Sequence, residues 1–194
     1  MGLSDQYNYL ILCEDKQTQC FMRSFLKGNG IPKHKINCCE LPLKGCGEQY
    51  VRERYPEELE KLRATKYNRN VLFVCTDADD ISVEERVKKL NDECVKYNVK
   101  KRCDDECVIF VIPKRNIETW IHFVIDGSEL VDEDADYRHF SGKERINGRT
   151  GKTIAKMLED KALEKTDLSS LKYLQVEYDR LKTITASEKR RMIR

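Results

Sequence analysis

Three runs of five residues are apolar at every position: Tyr9-Leu10-Ile11-Leu12-Cys13, Val71-Leu72-Phe73-Val74-Cys75 and Val108-Ile109-Phe110-Val111-Ile112. A strand with one wet face alternates, so runs without a polar break suit strands covered on both sides, as in a parallel sheet. Segments of helical spacing separate them. The first, from Lys16 to Lys27, carries Cys20, Phe21, Phe25 and Leu26 and is stopped by Gly28-Asn29-Gly30 and Pro32. A second strand is expected from Ile36 to Leu41, then a loop, Lys44-Gly45-Cys46-Gly47, and a charged helix that Pro56 reopens through Leu59, Leu62 and Arg63. Ser82 and Glu85 form a capping box for a helix through Val87, Leu90 and Cys94, and Pro113 precedes a helix with Ile117, Trp120, Ile121 and Val124. This alternation predicts an α/β fold, an open parallel sheet flanked by helices.

The 194 residues fit one α/β domain over 1–128 and a mainly helical C-terminal extension over 129–194 packed on it. That extension opens with an acidic stretch, Glu129 to Asp136, and continues into helices near Thr153–Glu164 and Leu168–Leu181. No apolar run approaches a bilayer span, and the start Met-Gly-Leu-Ser-Asp-Gln has neither a basic n-region nor an apolar h-region. A cytoplasmic protein with no membrane partner is expected, its nine cysteines reduced. The near-balanced charge, 36 basic against 34 acidic residues, says little about a nucleic-acid partner, because local segregation decides. Basic residues do cluster at Lys96, Lys100, Lys101 and Arg102, and again at Lys189, Arg190, Arg191 and Arg194, as solvated helix ends or as phosphate contacts.

Functional groups of an open parallel sheet gather beyond the carboxyl ends of its strands. Glu14 and Asp15 follow the first run, Asp77, Asp79 and Asp80 follow the third strand, and Glu118 opens the helix after the last. Hard oxygen ligands of this kind suit magnesium, which uses one or two carboxylates with substrate phosphate and water. Two ions roughly 4 Å apart would serve both the attacking and the leaving oxygen of phosphoryl transfer. The plainer explanation is that acids after strands cap the next helix.

A strand ending in Glu followed by a parallel strand ending in Asp-x-Asp resembles the TOPRIM family of topoisomerases, primases and nucleases of the overcoming-lysogenization-defect type. The matching residues are Leu10-Ile11-Leu12-Cys13-Glu14 and Leu72-Phe73-Val74-Cys75-Thr76-Asp77-Ala78-Asp79. Pro113-Lys114-Arg115-Asn116-Ile117-Glu118-Thr119-Trp120 is similar to a Glu-x-x-Trp segment of small bacterial TOPRIM-like proteins, often linked with anti-phage defence and ATPase partners. The likeness covers about residues 8–127, and Asp15 stands where a Gly usually follows the Glu. It implies a Mg²⁺- or Mn²⁺-dependent nuclease acting on DNA or RNA, with an ATPase partner protein or a homo-oligomer as its assembly. Glu14 would be a metal ligand or general base, Asp77 and Asp79 metal ligands, and Glu118 the completion of a second metal position. Lys114 and Arg115 would neutralise phosphate. The alternative is a non-catalytic scaffold subunit of the same complex. For Trp120, core packing outweighs base stacking.

Other motifs carry less. Gly148-Arg149-Thr150-Gly151-Lys152-Thr153 resembles the end of a P-loop, but Ile146 stands where its first Gly is needed and no strand precedes it. It reads as a turn entering a helix, with Lys143 or Lys152 left as a phosphate contact. Gly45-Cys46-Gly47 lacks the third glycine of a dinucleotide fingerprint. His34, His122 and His139 are scattered, and the cysteine spacings, Cys38-Cys39 with Cys46 and Cys103 with Cys107, fit zinc or redox sensing poorly.

Overall fold

The computed structural model describes residues 2–42, 46–65, 69–127, 131–135, 137 and 144–191, the side chains of 144–147 and 188–191 excepted. Lys44, Gly45, Glu129, Asp136, His139, Lys143 and Arg194 lie outside the described residues, as do the side chains of Ile146, Lys189, Arg190 and Arg191. The strands β1 (Asn8–Cys13), β2 (Ile36–Cys38), β3 (Asn70–Cys75) and β4 (Val108–Val111) form one parallel sheet in the order β2-β1-β3-β4. Around it lie α1 (Lys16–Gly28), α2 (Gly47–Ala64), α3 (Val83–Lys96), α4 (Ile117–Asp126), α5 (Glu144–Glu159) and α6 (Ser169–Arg191). The chain is thus an α/β fold with an open parallel sheet flanked by helices.

Alternate side chains of the apolar runs serve opposite faces, which is why no position could be polar. Tyr9, Ile11, Cys13, Phe73, Cys75 and Val111 enter one core with residues of α1, α4, α5 and α6. Leu12, Leu72, Val74 and Phe110 enter the other with Val51, Tyr55 and Leu59 of α2 and Leu90 and Cys94 of α3. The C-terminal helices are part of the first core: Ile154, Leu158, Leu171 and Tyr178 are buried in it. Trp120 is also inside, fully buried, its Nε1–H donated to Ser170 Oγ at 2.8 Å, and so unavailable to stack on a base. No helix among the described residues is long and apolar enough to cross a membrane.

Three local readings change. Residues 47–64 form one unbroken helix rather than two, with Pro56 buried inside it. Packing of Val51, Tyr55 and Leu59 on the sheet outweighs the hydrogen bond that a proline forfeits. Strand β2 stops at Cys38 instead of Leu41. Helix α5 starts well before Thr153, so Gly148 and Gly151 are helical rather than in a turn. They sit where α5 presses on α1: a Cβ on Gly151 would lie 2.5 Å from the Phe21 carbonyl oxygen.

The outer edge of β4 is closed by side chains. Phe110 N–H donates to Glu177 Oε2 at 3.1 Å, and the Val108 carbonyl accepts from Arg102 at 3.2 Å and from Arg180. A carboxylate and two guanidinium groups stand in for a neighbouring strand, a device that blunts an exposed edge. Arg102, expected in a basic cluster, is therefore a part-buried partner of Glu177, while Lys96 pairs with Glu93 at 2.7 Å.

Candidate active site

The register pairs Cys13 with Cys75, so the residues that follow, Glu14 and Thr76, leave the sheet side by side. Glu14 Oε1 accepts from the Thr76 hydroxyl and from Asp77 N–H, the latter at 2.9 Å. The loops after β3 and β4 are stitched together by Ala78 N–H donating to the Pro113 carbonyl at 2.8 Å. Helix α2 begins directly over the acid: a Cβ on Gly47 would fall 2.7 Å from Glu14 Cβ and 3.2 Å from Glu14 Oε2, so only glycine fits. Asp15 caps α1 by accepting from Thr18 N–H at 2.7 Å.

These acids raise one another. Burial pushes the Glu14 carboxyl up to about 7 against the donors Thr76 and Asp77 N–H; Asp79 adds to the rise and Arg86 opposes it. Asp77 is driven well above the ordinary carboxylate range, first by burial and then by Glu14, Asp15, Asp79 and Glu118. Part of its surface still reaches solvent, but other groups crowd it closely enough for desolvation to dominate. Among the described residues nothing donates a hydrogen bond to the Asp77 carboxylate or to Glu14 Oε2. The site is a pocket of carboxylate oxygens short of positive charge.

The expected site residues are placed unequally. Glu14 and Asp77 touch. Glu118, buried in the first turn of α4, stands close enough to raise Asp77. Asp79 is close to both, but its backbone is left-handed (φ 59°) and its carboxylate is bound by Arg86 at 3.1 Å. Lys114 and Arg115 lie at the same end of the sheet, both occupied: Lys114 donates to the Ile81 carbonyl at 3.1 Å and pairs with Asp134 at 3.0 Å, and Arg115 pairs with Asp80. Lys152 is not brought in. It is exposed on α5 with its backbone against Gly28, at the far end of the roughly 20 Å long α1 from Glu14.

Sequence reading missed Thr76, Gly47 and Arg86. Thr76 and Gly47 carry no local signal. Arg86 did carry one, because it lies four residues before Leu90 on the apolar face of α3 and is 4 % exposed. Beyond Gly47, a groove of about 1140 Å³ opens beside Cys46, its described lining including Glu40, Glu53 and Glu58 together with Arg54.

Among the described residues no three His, Cys, Asp or Glu side chains are grouped to hold a metal ion, and all nine cysteines are free thiols. Magnesium needs fewer protein ligands, one or two carboxylates with water and phosphate. Glu14 Oε2 and the Asp77 carboxylate meet that requirement, being adjacent, hard, desolvated and without donors. Comparison with protein-family models, curated proteins and solved structures returns no match to this chain.

Proposed function

We propose that this protein is a Mg²⁺-dependent (or Mn²⁺-dependent) nuclease that hydrolyses phosphodiester bonds of DNA or RNA. The observation that carries the reading is the pair Glu14 and Asp77 at the strand ends, Glu14 bonded to the Asp77 backbone N–H and each carboxyl raised by burial, with Glu14 raising Asp77 and no described residue donating a hydrogen bond to the Asp77 carboxylate. Glu14 Oε2 and Asp77 would hold the cation. The bound cation supplies charge stabilisation at the phosphate and eases deprotonation of water. The chain's own residues do the rest. Thr76 and Asp77 N–H fix the orientation of Glu14 through Oε1. Lys114 and Arg115 would exchange Asp134 and Asp80 for the phosphate, whose oxygens make the stronger bidentate partner for a guanidinium.

The test is a cleavage assay on single- and double-stranded DNA and RNA with Mg²⁺, Mn²⁺ and chelator, run beside Glu14→Gln and Asp77→Asn. Cation-dependent cleavage that both variants abolish is the expected result; cleavage retained by either variant refutes the assignment.

A second reading has its own supporting observation. Asp79 is spent on an ion pair with Arg86 and Asp15 on a helix cap, which suits a sheet kept as a non-catalytic scaffold docking on an ATPase partner. No cleavage under any cation, together with a stable complex, would favour it.

A further inference from the structure

We infer that Arg86 is the built-in cation of the Asp79 half of the acidic cluster, so that the site takes a single divalent ion, at Glu14 and Asp77, and none at Asp79. The inference rests on the metal-dependent reading above and fixes its stoichiometry.

Arg86 is buried in α3, and its guanidinium reaches three groups that converge on the site. One terminal nitrogen donates to Asp79 Oδ2 at 3.1 Å and to the Ala78 carbonyl at 3.2 Å; the other donates to Glu48. Glu48 follows Gly47, the residue pressed on Glu14, and also accepts from Arg52 Nε at 3.1 Å. Arg86 therefore clamps the start of α2 to the loop after β3, on either side of Glu14. A guanidinium stays charged at every accessible pH, so it cannot yield its place by losing a proton. Packing within α3 prevents it from swinging out.

The consequence is electrostatic. A pair of ions would need carboxylates on both sides at a separation of roughly 4 Å. In the Glu14–Asp77 half, no described cation is bonded to either carboxylate, and Arg86 acts on Glu14 only through space. In the other half, an ion drawn to Asp79 would meet a permanent positive charge already bonded to the same carboxylate. The left-handed backbone at Asp79 is what carries its side chain to Arg86. Each half of the cluster then owns one cation, exchangeable in the first and covalently part of the protein in the second. Arg86, enclosed by protein, touches no substrate and acts as a positioning residue.

Calorimetric titration of the full chain with Mn²⁺ at neutral pH, with thermal unfolding followed in parallel, tests this. One Mn²⁺ per chain is expected. Asp79→Asn should shift the affinity by no more than about threefold, whereas Asp77→Asn should weaken it at least about tenfold. Arg86→Met should admit a second, weaker Mn²⁺ at the freed Asp79 carboxylate, and Arg86→Lys should not. If Arg86→Met fails to fold, the contrast between Asp79→Asn and Asp77→Asn still decides. Two ions on the unaltered chain, or equal losses in those two variants, overturn the inference while leaving a metal-dependent nuclease standing. No Mn²⁺ uptake at all overturns both.

Discussion

The buried acids of this protein fall into two groups. Away from the strand ends each is matched with cations. Glu177, 3 % exposed, faces Arg102 and Arg180, Glu93 faces Arg52 and Lys96, and Glu106 faces Arg63. Burial would raise Glu93, but Lys96 and Arg52 outweigh it and hold the carboxyl below its ordinary value; Arg63 does the same for Glu106. At the strand ends Glu14 and Asp77 are desolvated just as effectively, yet their neighbours are mostly further acids, and both are raised. Glu14 and Asp77 are the carboxyls that burial and like charge push up, the electrostatic pattern expected of a functional site.

The contrast can be broken most directly at its two poles. Glu14→Gln or Asp77→Asn should lower cleavage at least about a hundredfold while leaving the thermal midpoint unchanged or raised, since each removes an unpaired buried charge. Glu177→Gln should do the opposite, leaving the part-buried Arg102 and Arg180 without a counter-charge and costing about 3 kcal/mol in denaturant unfolding. Proton binding sharpens the same contrast. Glu14 titrates at about 7 when folded against an ordinary 4.5, so between those values the native chain holds more protons than the unfolded one. Stability contributed by protonated Glu14 is complete below 4.5 and is lost as pH rises through about 7, by up to about 3 kcal/mol. Asp77, also raised, adds in the same direction. Differential scanning calorimetry without divalent cation should show this decline, Mg²⁺ should reverse it, and Glu14→Gln should flatten it. Gly47→Ala should cost about 1–3 kcal/mol and much of the activity, because the new methyl collides with Glu14. The smallest effect is expected of Lys152→Ala, whose cleavage rate should stay within about twofold of the parent, as for a surface change remote from the site.

The strands were readable because burial on both faces leaves no choice of residue, and the acids after them were readable because a parallel sheet aligns its strand ends. What escaped reading depended on partners distant in sequence. Gly148 and Gly151 look like turn formers until α1 is set against them, and Pro56 looks like a helix start until α2 is held by the sheet. Arg102 looked like surface charge, yet it seals the edge of β4 with a glutamate 75 residues away.

By itself the sequence determined the α/β alternation, the parallel sheet and the set of acids delivered to one end of it, since hydrophobic period and strand polarity are properties of short segments. Only the tertiary structure decided which of those acids stay unpaired. Asp77 and Asp79 are equivalent on paper, two residues apart with the same side chain. Arg86 bonds to one and not the other, so the position of a single guanidinium separates a carboxylate paired within the protein from one that burial and neighbouring acids raise.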